Sequence, residues 1–75
     1  MADATAAFQA LVDVIVDLQR AQLVRHDDPR HLARFVWATV HGIAMLAIDG
    51  QLGPGADAGV ALFRDSSDRI RAALA

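Results

Sequence analysis

Between Phe35 and Ile48 the chain runs FVWATVHGIAMLAI, fourteen residues with no formal charge and His41 as their only titratable group. Asp28–Pro29 precedes the run and Gly53–Pro54–Gly55 follows it. Together they predict one helix over 29–52, roughly 35 Å long. Aspartate caps a helix start, and proline at the first helical position gives up only an N–H that has no partner there. Gly53 suits the left-handed position after a helix, and Pro54 cannot continue one. At about 100° per residue the apolar side chains fall on two nearly opposite arcs. One holds Ala33, Trp37, Val40, His41, Ala44 and Ile48; the other holds Leu32, Phe35, Thr39, Ile43 and Leu46. A narrow arc of Arg34, Ala38, Gly42, Met45 and Asp49 separates them. A rod apolar on both flanks needs cover on both flanks.

Two shorter segments flank it. From Thr5 to about Leu23, Phe8, Leu11, Val12, Ile15, Leu18, Gln19 and Gln22 recur at helical spacing, with Asp13, Asp17 and Arg20 opposite. Asp3 is the first choice of N-cap and Thr5 the second. Gln19 and Gln22 prolong the apolar face; at a helix end they reach water, or one of them offers a polar handle to a buried ligand. From Ala56 to about Leu74, Ala56, Val60, Phe63, Ser67, Ile70 and Leu74 step by four and three, the spacing of a bundle seam. Arg64–Asp68 and Asp65–Arg69 stand four apart on its flanks, where they can pair or simply form a solvated face. The fold class expected is all-α: three antiparallel helices over about 5–23, 29–52 and 56–74, in one domain.

Size sharpens the problem of cover. A chain of 75 residues buries only roughly 60% of its unfolded surface, yet 55% of these residues are hydrophobic. The excess points to a second surface, belonging to a partner or to a missing part of the same protein. Net charge is −2 and the seven arginines are scattered, so no basic face suits a nucleic-acid backbone. Cysteine is absent, which leaves neither disulfides nor thiolate metal sites to consider. His26 and His31 flank the Asp28–Pro29 start without any recognised ligand spacing, so no metal is expected. No cationic segment leads into an apolar N-terminal run. The uncharged stretch falls short of the ~20 residues a membrane span needs, so no membrane role is expected and a cytoplasmic location is the default.

Catalysis finds no support, and no catalytic residue or cofactor is assigned. Ser66–Ser67 has no histidine one turn away, and the carboxylates all lie on polar faces. His41 is the residue with chemistry to offer. It follows Trp37 by one turn, so imidazole and indole are neighbours. It is either a core histidine bonded to a carbonyl or water, or a polar group that orients a ligand in an apolar cavity. Gly42 costs about 1 kcal/mol of helix propensity, which suggests close approach of a backbone or a ligand.

Trp37-Ala-Thr-Val-His41-Gly42-Ile-Ala-Met-Leu46, with Asp28–Pro29 before and Asp49-Gly50-Gln-Leu52 after, resembles the tryptophan–histidine–glycine signature of one branch of the tetracycline-repressor (TetR/AcrR) family. The likeness covers nearly the whole chain. It implies the last three helices of a C-terminal regulatory domain in an all-helical homodimer. It implies that operator DNA is bound through an N-terminal helix-turn-helix missing from this chain, and that a small, often hydrophobic effector releases it. It also implies that the last two helices pack on their copies as a four-helix bundle, which fits the seam and the two-sided rod. On this reading the ligand-lining candidates are Phe8, Leu11, Ile15, Trp37, His41 and Ala44. The dimer-interface candidates are Phe35, Thr39, Ile43 and Leu46 on the second helix and Val60, Phe63, Ser67, Ile70 and Leu74 on the third. The alternative is a stand-alone helical dimerisation module without a ligand.

Overall fold

A computed structural model describes residues 4–75, and in them three helices: α1 (Ala4–Arg20), α2 (Pro29–Ile48) and α3 (Asp57–Leu74). Asp3 lies outside the described residues, and Thr5 is already inside α1. Asp28 caps α2 as its sequence requires: its Oδ1 accepts from the Arg30 N–H at 2.9 Å, with Pro29 at the first helical position. The far end of α2 differs from the expectation. It stops at Ile48, four residues before Leu52, because Gly50 (φ 73°) takes the left-handed position ahead of Gly53. The Gly50 N–H then donates to Ala47 O (3.2 Å) and the Gln51 N–H to Leu46 O (2.9 Å), so two of the last carbonyls are satisfied.

The end of α1 repeats this geometry without a glycine. Gln22 sits at φ 63°, its N–H donating to Gln19 O (3.0 Å) and that of Leu23 to Leu18 O (2.9 Å). The helix therefore ends at Arg20 rather than Leu23.

Gly59 near Ala47 at one end of α2, and Phe8 near Trp37 in its middle, show that both neighbours run antiparallel to it. The three helices lie side by side, α2 in the centre, and the backbones of α1 and α3 do not approach each other. With extents of 41 × 32 × 14 Å the chain is a sheet of helices hardly more than one helix thick. Its core is correspondingly small: Val12 and Ile15 of α1 against Leu32 and Ala33 of α2, joined by half-buried Phe8, Leu11, Val16, Val24 and Leu74. Every buried residue of α2 lies in its first two turns. Farther along, Phe35, Val40, Met45, Leu46 and Ile48 remain exposed. The two-sided rod is thus covered at its edges by α1 and α3 and left open over much of the rest. On length and composition α2 could cross a membrane, its best eighteen-residue window having mean hydropathy 1.3. The shorter uncharged count stopped at Arg34; a helix at the core of a soluble assembly meets the same criterion.

One buried polar side chain ties the layer together. Gln19, only 8% exposed, donates from Nε2 to Arg25 O (3.1 Å) and Asp27 O (2.7 Å). Its amide N–H groups hold the α1–α2 loop. That loop in turn caps α3: the Arg25 N–H donates to Leu74 O at 2.7 Å, and its guanidinium to Ala73 O at 3.5 Å.

The glycine at the helix contact is Gly59, where an added Cβ would lie 3.5 Å from that of Ala47. Around Gly42 nothing comes within 4 Å of such a Cβ, so no helix of this chain crosses there. Accordingly Gly59→Leu is expected to force α3 from α2 and lower stability by about 2 kcal/mol. Gly42→Ala should raise it by about 1 kcal/mol through helix propensity alone. Thermal melts of both variants at one protein concentration check this. A Gly42→Ala chain that melts below wild type would place a second surface against that glycine.

Candidate functional site

Three rings gather where α1 crosses the middle of α2. The indole of Trp37 and the imidazole of His41, one turn apart, stack with centroids 4.5 Å apart and planes at 20°. Phe8 of α1 meets the indole edge-on at 5.9 Å and 82°, a favoured aromatic geometry. His41 Nδ1 lies 2.9 Å from Trp37 O. A carbonyl only accepts, so Nδ1 carries a proton in this contact, and Nε2 is left for another partner. His41 is exposed, so it is no core histidine; it forms the outer end of an aromatic shelf.

Of the six ligand-lining candidates, the structure brings together Phe8, Trp37 and His41. Leu11 is half-buried against the core. Ile15, 3% exposed, is spent on the contact between α1 and α2 and has no surface left for a ligand. Ala44 lines a different depression, between α2 and α3. Beside Phe8, Arg30 and Arg34 extend over the ring, their guanidinium carbons 5.4 and 6.0 Å from its centroid. With Ala4, Thr5, Phe8 and Trp37 they enclose an open cleft of about 410 Å³. These arginines were passed over in the sequence as members of a scattered set. Their spacing of four, with Trp37 three beyond Arg34, was the available signal.

Between α2 and α3 runs an apolar groove in two parts, of about 660 and 470 Å³. Val40, Phe63 and Arg64 border both parts. Among the interface candidates, Phe35, Leu46, Val60 and Phe63 are 42–48% exposed and available to a partner. Thr39, Ile43, Ser67 and Ile70 are half-buried. The hydroxyls of Thr39 and Ser67 each donate at 2.8 Å to the carbonyl one turn earlier, Phe35 O and Phe63 O. Both can therefore enter an apolar contact without an unsatisfied donor. Leu74 also packs on the core within the chain, because the α1–α2 loop draws the end of α3 inward. Asp65 pairs with Arg69 at 2.8 Å, whereas Asp68 pairs with Arg71 and not with Arg64; Arg64, Asp68 and Arg71 all border the groove.

The chain is thus a thin helical layer with an aromatic shelf on one helix pair and a bare apolar groove on the other. The family model for the tetracyclin repressor-like C-terminal domain matches residues 1–70, and the chain belongs to that family. It is a family of regulators rather than enzymes, whose domains typically dimerise and bind small-molecule effectors. No curated protein and no solved structure matches the chain.

Proposed function

We propose that this chain is the effector-binding and homodimerising part of a cytoplasmic TetR-type repressor, with operator DNA read by a helix-turn-helix outside these 75 residues. The observation that carries the reading is the apolar surface which α2 and α3 leave uncovered, with Phe35, Leu46, Val60 and Phe63 each more than two-fifths exposed. A second copy laid on these helices buries that surface in a four-helix bundle. A small hydrophobic effector fits the shelf of Phe8, Trp37 and His41, its polar group meeting Nε2 of the histidine.

The loop supplies a physical link between the two sites. An effector that moves Phe8 moves α1, Gln19 at its other end holds the carbonyls of Arg25 and Asp27, and Arg25 holds the end of α3. The effector shifts the dimer between arrangements by no more than its difference in affinity for them. In the full-length regulator, His41→Ala is expected to raise the effector concentration needed for DNA release about tenfold, the value of about one hydrogen bond. An exposed side chain changes stability by only about 0.5 kcal/mol, so the melting temperature should hardly move. Equal losses in induction and in stability would make His41 structural.

A further inference from the structure

We propose that the cleft at the mouth of α1 and α2 receives the anionic head of a small amphipathic acid, held by Arg30 and Arg34, with its apolar body on the Phe8–Trp37–His41 shelf. This deepens the effector reading above and rests on it. Arg20, Arg25, Arg69 and Arg71 each stand within ion-pair distance of an aspartate. Arg30 and Arg34 make no such pair among the described residues. Arg30 Nη1 donates instead to neutral Gln9 Oε1 at 3.1 Å, and it is Gln9 that donates onward to Asp13 at 3.0 Å. Two like charges one turn apart disfavour a helix. Here both converge on the Phe8 ring, with most of their N–H groups meeting no acceptor among the described residues. Planar guanidinium groups bind carboxylates through parallel hydrogen bonds, and this pair lines the same cleft as the shelf residues Phe8 and Trp37. Trp37, the single tryptophan, links the cleft to His41 by its stacked ring.

Octanoate, octanol and octylammonium share one body and differ in the head. Titrated into the 75-residue chain below their aggregation limits, with Trp37 fluorescence and heat of binding as readouts, they separate charge from apolar contact. Octanoate should bind about tenfold or more tightly than octanol, and this advantage should shrink as salt screens the exposed arginines. Arg30→Gln and Arg34→Gln should each weaken octanoate about tenfold and leave octanol unchanged, which also shows that the variants fold; Arg34→Lys should keep part of the preference. Octanol or octylammonium binding as tightly as octanoate overturns the anion site while the effector cleft stands. If none of the three perturbs Trp37 or gives heat, the cleft itself is overturned along with the head site.

Discussion

A chain carrying Phe63→Asp is expected to sediment as single copies at concentrations where the wild type self-associates. Phe63 borders both parts of the α2–α3 groove, next to Val40 and Arg64, and is 48% exposed in one copy. Full burial of a phenylalanine is worth about 1.5–3 kcal/mol, and a two-fold interface uses the residue twice. With half of each ring already covered, the loss is about 1.5–3 kcal/mol, roughly ten- to a hundredfold in dissociation constant, before any cost of burying two carboxylates. Helix content should survive, because the ring is not part of the Val12–Ile15–Leu32–Ala33 core. Sedimentation velocity with circular dichroism reads both. An unchanged dimer would place the interface elsewhere, and a collapse of helicity would make Phe63 a core residue.

The second large effect belongs to Gln19. Gln19→Leu keeps the volume and removes the donor, leaving the part-buried carbonyls of Arg25 and Asp27 without their side-chain partner. About 2–3 kcal/mol is expected from the two lost bonds. In a domain this size each kcal/mol shifts the melting temperature by about 4–8 °C. Gln19→Glu is sharper still, since at pH 7 it points a carboxylate at two carbonyl oxygens. The protonated acid is the favoured form in the fold, so this deficit should be largest at neutral pH and above, narrow as pH falls toward about 4.3, the ordinary glutamate value, and change no further below it. Melts of both variants, each referenced to wild type at the same pH and concentration, decide it. A Gln19→Leu chain that melts like wild type would show that the loop needs no anchor.

The α2 helix was legible because its signals are local. Asp28–Pro29 caps it wherever it packs, and the stacking of Trp37 on His41 follows from helical spacing alone. The end of α2 was misplaced for a local reason as well: two glycine sites compete, and Gly50 comes first. Gln19 and Gly42 were left open by the sequence for a different reason. Spacing gave each a face but could not say what approached that face. In the fold a loop approaches Gln19, nothing in the chain approaches Gly42, and Gly59 takes the close contact. Ile15 and Leu11 share a stripe with Phe8, yet only Phe8 lies where α1 and α2 open into a cleft.

By itself the sequence determined three helices, the cap of α2, the aromatic pair on it and an excess of apolar surface, since each depends on neighbours within a turn or on composition. Only the tertiary structure decided that the helices form one thin layer, that Ile15 is core while Phe8 and Trp37 flank a cleft, and that Arg30 and Arg34 converge on the same ring. Those outcomes depend on where α1 and α3 cross α2, and a crossing is set by contacts between residues far apart in the chain.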